Sequence, residues 1–271
     1  SNVPADGEQN LEVFVGNGCL QGELRIKGTL KIGDVPGHFA TLRINKGSTL
    51  VLDKNSSLFI GPGSELIVEE GATMIIQPGA SIDWNDGAIN LEGTLNMDSG
   101  VDFSPTGSGT LTFDGDGLIS PQSTGAIRLE QSRVNIKNLQ HLSVNIAAVE
   151  LNECTVVFYN RGELKVRSDF DLTNSTVQYD GNKQWAGLSV SSGTTAVAHC
   201  EFIGGAPALS VPSNSTFSLE NSTFKNALQG LKCTATPSSF YANRFYSCTI
   251  GAELNCAAMT IERNLFHGCN Q

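Results

Sequence analysis

The amino-acid sequence predicts an all-β fold, a parallel β-helix in which successive coils stack on one another. Three observations carry this prediction. Between residues 42 and 84, pairs of apolar residues recur every eight residues. After residue 125, apolar and small residues recur at the spacing of a whole coil. The composition agrees, because 29 glycines in 271 residues supply many turns, while aromatic residues make up only 7%.

The octad region, which extends to about residue 100, predicts short strands that each bury two apolar side chains. The central pairs are Leu42/Ile44, Leu50/Leu52, Leu58/Ile60, Leu66/Val68, Met74/Ile76 and Ile82/Trp84. A residue that tolerates a positive φ angle precedes five of these pairs by three positions, at Gly47, Asn55, Gly63, Gly71 and Gly79. Three such units make one coil of about 24 residues, the size expected of a three-sheet solenoid.

From about residue 125 the repeating unit is a whole coil. One apolar column advances in steps of 21 to 25 residues and consists of Val134, Val156, Val177, Phe202, Phe224, Phe245 and Phe266. No segment sustains the 3.6-residue period of a helix, and hairpins would not preserve whole-coil registration. Like residues are therefore expected to stack on neighbouring coils, with roughly 11 coils in the chain.

The later coils resemble the right-handed β-helix, pectin-lyase-like superfamily. Segments such as LENSTFKNALQGLKC, YANRFYSCTIGAELNC and IERNLFHGC are similar to the I-x-x-N-x-F…G-I repeat of that superfamily. The resemblance covers residues from about 22 to 271 and implies a right-handed, single-stranded solenoid like those of secreted bacterial β-helix repeat proteins. It implies little about activity, because this scaffold carries lyases, hydrolases, epimerases, adhesins and inert stalks.

The two ends of the chain give different expectations. Residues 1–21 are irregular and are expected to form an N-terminal cap or leader segment, whereas residues 22–271 are expected to form the β-helix. The repeat residues Phe266 and Cys269 stand close to Gln271, so no C-terminal cap is expected. Because a parallel solenoid must cover its terminal edges, we expect the rest of a longer polypeptide or a capping partner at the last coil.

The charge balance and the motif content exclude several classes of function. A net charge of −10 opposes nucleic-acid binding, which needs a basic face to neutralise phosphates. No segment approaches the ~20 consecutive apolar residues of a membrane helix, so no membrane insertion is expected. Neither a C-x-x-C nor a C-x-x-H motif occurs, so we predict no metal site and no cofactor. A turn-rich chain with few charges favours an extracellular or cell-surface location.

Catalytic residues of the superfamily are not matched in this chain. The polygalacturonase set contains Asn-x-Asp, Asp-Asp, Gly-His-Gly and Arg-x-Lys in that order. Here Asn96-Met97-Asp98 and Arg25-Ile26-Lys27 occur in the reverse order, and the other two motifs are absent. Hydrolysis of a glycoside needs two carboxyl groups about 5–9.5 Å apart, and we expect no outward column to stack an Asp/Glu pair. No catalytic residue is therefore assigned.

The candidate ligand-binding residues lie beside the phenylalanine column of the late coils. The positions next to each phenylalanine should point outward, which would bring together Lys225, Arg244, Tyr246 and His267. The longest coil step, between Val177 and Phe202, is expected to form a loop that carries Tyr179 and Trp185 above them. Aromatic faces beside polar groups hold sugars by stacking and hydrogen bonding, so a polysaccharide is the expected ligand.

Two pairs of cysteines are expected to lie in inward columns. A Leu-x-Val strand repeats from coil to coil, beginning with Leu142/Val144. Its last two members are Leu231/Cys233 and Leu254/Cys256, so this pattern predicts that Cys233 stacks on Cys256. Cys248 and Cys269 share another column. Adjacent coils satisfy the Cα separation of a disulfide, but parallel stacking points both Cβ atoms the same way. The sequence therefore leaves open whether each of these two pairs consists of free buried thiols or forms a disulfide.

These observations lead to three functional hypotheses. The leading one is a non-catalytic secreted or cell-surface module that acts as a stalk or adhesin and binds polysaccharide. The alternative is a polysaccharide lyase or a related carbohydrate-active enzyme that uses Lys225, Arg244, Tyr246 and His267. The third is a trimeric, spike-like structural protein whose partner chains cover the open end.

Overall fold

The computed structural model describes residues 13–34, 37–120, 122–142, 145–160, 162–180, 187–212, 215–256 and 260–270. These residues form strands and turns and contain no helix. The chain divides into two compact units, residues 1–132 and 133–271. Each unit is a parallel β-solenoid, and together they contain about ten turns. The predicted all-β parallel solenoid is therefore confirmed, and its right-handedness stays a prediction.

The first unit consists of fifteen short strands, fourteen of which form three parallel sheets within the unit. The strands are β1 (Val13–Val15), β2 (Gly18–Leu20), β3 (Glu23–Ile26), β4 (Thr29–Ile32), β5 (Thr41–Ile44), β6 (Thr49–Leu52), β7 (Ser57–Ile60), β8 (Glu65–Val68), β9 (Thr73–Ile76), β10 (Ser81–Asp83), β11 (Ala88–Leu91), β12 (Thr94–Met97), β13 (Thr110–Phe113), β14 (Leu118–Ile119) and β15 (Ile127–Glu130). Within the unit the sheet orders are β1-β4-β7-β10, β2-β5-β8-β11-β13 and β3-β6-β9-β12-β14.

Each octad of the sequence is one strand, and three octads complete one coil. Strand β5 pairs with β8, β6 with β9 and β7 with β10, always in parallel and with a step of three strands. The apolar pairs of the octads, such as Leu50 and Leu52, are buried between the sheets. The turn residues have positive φ angles, 77° at Gly47 and 60° at Asn55, as the spacing predicted.

Solenoid strands already occur within the segment expected to form the N-terminal cap. Strand β1 pairs in parallel with β4, and β2 pairs in parallel with β5. Residues 1–12 lie outside the described part of the chain, so the proposed cap boundary at residue 21 stays a prediction.

The second unit has the same kind of architecture, with longer coils and three groups of parallel strands. Its strands are β16 (Arg133–Ile136), β17 (Leu139–Leu142), β18 (Ala148–Asn152), β19 (Thr155–Tyr159), β20 (Glu163–Val166), β21 (Asp169–Thr173), β22 (Thr176–Asp180), β23 (Gly187–Val190), β24 (Gly193–Ala198), β25 (Glu201–Ile203), β26 (Leu209–Val211), β27 (Ser215–Glu220), β28 (Thr223–Lys225), β29 (Gln229–Cys233), β30 (Pro237–Tyr241), β31 (Arg244–Tyr246), β32 (Ile250–Leu254) and β33 (Leu265–His267). The orders are β16-β19-β22-β25-β28-β31-β33, β18-β21-β24-β27-β30 and β17-β20-β23-β26-β29-β32.

The predicted apolar column from Val134 to Phe266 is confirmed over its whole length. Every member is the register partner of the next one, coil by coil. The ring centroids of Phe202 and Phe224 are 4.5 Å apart, those of Phe224 and Phe245 4.9 Å, and those of Phe245 and Phe266 4.7 Å. This spacing equals that of the strands, so the rings form a continuous stack inside the sheets.

The residues that stand two positions before each member of this column are small or carry an amide group. They form a ladder of hydrogen bonds from coil to coil. The backbone N–H of Ser222 donates to Oδ1 of Asn243 over 3.0 Å, and that of Asn243 donates to Oδ1 of Asn264 over 2.8 Å. The residues that precede Ser222 and Asn243 have positive φ angles, 50° at Asn221 and 53° at Ala242. The ladder satisfies backbone groups that the tight corner leaves without strand partners.

The register of the repeated Leu-x-Val strand differs from the prediction at both ends. Gln140, rather than Leu142, is in register with Leu164. At the other end Cys233 is in register with Leu254, so the expected stacking of Cys233 on Cys256 is wrong. A strand shifted by two residues presents the same face to the core, so the apolar pattern alone does not distinguish these registers. The lengths of the connecting turns decide between them.

Candidate functional site

The structure brings the four candidate residues of the late coils onto one outward surface. Lys225, Tyr246 and His267 occupy one column on the adjacent strands β28, β31 and β33. Arg244 lies in the neighbouring column on β31, on the other side of the buried Phe245. Because side chains alternate along a strand, residues on both sides of a buried phenylalanine point outward. We call these four residues the late-coil face.

The aromatic part of the late-coil face is a pair of rings on adjacent strands. The rings of Tyr246 and His267 meet edge to face, with centroids 6.1 Å apart and planes inclined by 63°. Tyr246 is half-buried and His267 is exposed. Such a pair offers both an apolar ring surface and polar atoms, the combination that stacks against and hydrogen-bonds a sugar ring.

The two cations of the face differ in their surroundings. The ammonium group of Lys225 forms an ion pair with the carboxylate of Glu201. Both groups are well exposed, so the pair contributes little to stability, but it balances the charge of Lys225. Among the described residues Arg244 forms no ion pair and is exposed to solvent. The uncompensated positive charge of the face is therefore that of Arg244.

Of the two remaining candidates, Tyr179 does not join this face. Tyr179 is a strand residue of β22, in register with the buried Phe158, rather than a loop residue. Its hydroxyl donates a hydrogen bond of 2.9 Å to the backbone carbonyl of Asn160, which holds the ring against the corner of the preceding coil. Trp185 lies outside the described residues. The expected aromatic loop above the face therefore has no support from Tyr179.

A stacked pair of carboxylates is present, and the expectation that no outward column supplies one is wrong. Glu150 on β18 is the register partner of Asp171 on β21. Burial raises the pKa of Asp171 above its usual value, and the nearby charge of Glu150 raises it further. Both residues stand one position before the apolar Leu151/Leu172 column, at a separation of one coil. That one-coil spacing is the sequence signal for the carboxylate pair.

The described residues do not form a metal centre of the usual kind. None of their His, Cys, Asp and Glu side chains gather in a group of three or more that would hold a metal ion. In the same part of the chain, no helix has the length and apolar character needed to cross a membrane.

Comparison with known proteins assigns no family to this chain. No family model, no curated protein and no solved structure matches it. The parallel solenoid is therefore established by the strand pairing itself, and the function must be argued from the side chains on its surface.

Proposed function

We propose that this chain is a non-catalytic module of a secreted or cell-surface protein, with the role of a stalk or adhesin that binds polysaccharide. We also propose a right-handed, pectin-lyase-like coil and a bacterial source. The observation that carries the proposed binding function is the register of β28, β31 and β33, which places Lys225, Tyr246 and His267 in one outward column beside Arg244.

The geometry of the late-coil face suits an extended polymer. Adjacent strands repeat about every 4.8 Å, which is close to the length of one sugar unit. A chain of sugars that runs across the strands therefore meets one side chain of the column at each step. Tyr246 and His267 would stack against the rings, and Lys225 would contact the next unit of the polymer.

The charges of the face favour an acidic sugar. The guanidinium group of Arg244 presents paired N–H donors that match a carboxylate or sulfate. Because Glu201 balances Lys225, Arg244 supplies most of the attraction for an anion. A local positive charge on a chain with a net charge of −10 also guides an acidic polymer to this face rather than to the rest of the surface.

The test is binding of the isolated chain to an array of acidic and neutral glycans, followed by titration of the hits at several salt concentrations. Arg244→Ala should weaken binding by about tenfold or more, because it removes a charge-assisted contact worth about 1.5–3 kcal/mol. Lys225→Ala should weaken it less, and Thr223→Ala on the same face is the matched control. If the parent binds no glycan, or if Arg244→Ala binds each glycan like the parent, the proposal is wrong.

A polysaccharide lyase is the second candidate, and a specific observation favours it. The rings of Tyr246 and His267 are in contact beside Arg244. A proton acceptor, His267, and a cation that would neutralise a uronate carboxylate, Arg244, therefore share one surface. A lyase would release unsaturated sugars from any glycan found on the array, and their ultraviolet absorbance would increase with time. His267→Ala would then abolish product formation while the chain still binds the glycan.

A further inference from the structure

Cys248 and Cys269 lie one above the other on consecutive coils. Each follows a stacked phenylalanine by three residues, and these phenylalanines, Phe245 and Phe266, are register partners. Cys248 is 2% exposed and Cys269 is half-buried. Both are free thiols.

The two thiols have equivalent surroundings, one coil apart. The sulfur of Cys248 lies 3.7 Å from the carbonyl oxygen of Phe224 and 3.5 Å from that of Tyr246. The sulfur of Cys269 lies 3.6 Å from the carbonyl oxygen of Phe245 and 3.8 Å from that of His267. Since each acceptor of Cys269 is the register partner of an acceptor of Cys248, the two sulfurs are related by one coil step, about 4.8 Å.

This arrangement suits a bridging ion better than a disulfide. A disulfide needs sulfurs about 2.05 Å apart and Cβ atoms about 3.8 Å apart that point toward each other. In-register stacking instead directs both Cβ atoms the same way. A metal–thiolate bond is about 2.3 Å long for zinc, and Cu(I) bonds are of similar length. Two such bonds in line span about 4.6 Å, which matches the coil step.

We propose that Cys248 and Cys269 form a two-coordinate site for a soft monovalent metal ion of the Cu(I) type. Thiolates are the protein ligands that select Cu(I), and two sulfurs in line satisfy its preference for linear coordination. On binding, each thiol loses its proton to solvent and each sulfur forms one bond to the ion, with no change of oxidation state. The metal then joins two coils that are otherwise held by strand hydrogen bonds and ring stacking.

None of the other cysteines of the described residues is stacked in register on a cysteine of the next coil. Cys233 is in register with Leu254, and Cys256 lies two residues further along the chain. Cys154 and Cys200 belong to one column but are separated by a coil that carries Ser175. Cys233 is therefore a suitable control, because its thiol is also buried and also donates a hydrogen bond to a backbone carbonyl, that of Ala235.

The experiment titrates the reduced full chain with Cu(I), without oxygen, against a coloured Cu(I) chelator. The parent should withhold one Cu(I) per chain from the chelator, and its melting temperature should rise when the ion is present. Cys248→Ala and Cys269→Ala should each lose that equivalent and the rise in melting temperature, whereas Cys233→Ala should keep both. The half-buried Cys269 provides the second variant if Cys248→Ala does not fold, and circular dichroism checks the fold of each.

Three results would overturn the proposal. The parent withholds no Cu(I) from the chelator, or Cys269→Ala withholds as much as the parent. Alternatively, mass spectrometry of unreduced protein finds Cys248 joined to Cys269 by a disulfide, in which case the pair is a covalent link rather than a metal site.

Discussion

Replacement of Phe224 by alanine tests the internal stack most directly. Phe224 is fully buried, and its ring lies between those of Phe202, with planes inclined by 5°, and Phe245, inclined by 9°. Removing a buried phenylalanine costs about 3–5 kcal/mol through lost burial and the resulting cavity. Two ring pairs, each worth about 0.5–1.5 kcal/mol, disappear together, so we expect the upper part of that range.

Phe266 is the matched control for this change. It belongs to the same stack, but it has one ring neighbour among the described residues of the column, Phe245, and is 46% exposed. Phe266→Ala should therefore cost less than half as much as Phe224→Ala. Both variants are compared with the parent by denaturant unfolding followed by circular dichroism, with the slope m checked for constancy.

A small loss of stability in Phe224→Ala, or an equal loss in both variants, would contradict this prediction. If Phe224→Ala lowers the free energy of unfolding by less than about 1 kcal/mol, its ring is not a fully buried member of the stack. If the two variants lose the same stability, position within the stack does not determine the energy. A change of m between variants would show that the coils unfold in separate steps, as repeat proteins do when neighbouring units uncouple.

Two further predictions concern polar groups. Thr195 is buried in register with Phe217, and its hydroxyl has no hydrogen-bond partner among the described residues. Thr195→Val should therefore be neutral or stabilising by up to about 1 kcal/mol. Ser222→Ala removes an acceptor from the N–H of Cys200 and should cost about 1–3 kcal/mol in the same unfolding assay. Because the pKa of Asp171 is raised in the folded chain, the folded state binds more protons, and stability falls as the pH rises from the usual value of 3.8 through the raised pKa. Asp171→Asn should flatten this fall and make the protein more stable than the parent at pH 7, and an unchanged pH profile of the unfolding midpoint would contradict the assignment.

The apolar periodicity of the chain is enough to predict the solenoid and its interior. Apolar residues at fixed steps, such as Leu42 and Leu66 one coil apart, leave a parallel stack as the arrangement that buries them all, and the pairing confirms it. The phenylalanine stack could also be predicted from the sequence, because each late coil has its phenylalanine at the same position relative to the corner of the coil. The same alternation put Lys225 and Tyr246 on one outward surface, since neighbours of a buried strand residue must point outward.

The folded chain reveals features that the alternation of side chains leaves open. A strand keeps the same inward face when it slips by two residues, so only the folded turns show that Cys233 meets Leu254 rather than Cys256. Likewise, a column of outward residues does not reveal which charges pair, and the ion pair of Lys225 with Glu201 leaves Arg244 as the uncompensated cation of the face. Sequence periodicity predicts which face of each strand is buried, because burial of apolar side chains depends on the alternation of side chains along the strand. The partners of long polar side chains depend on local geometry that varies from coil to coil.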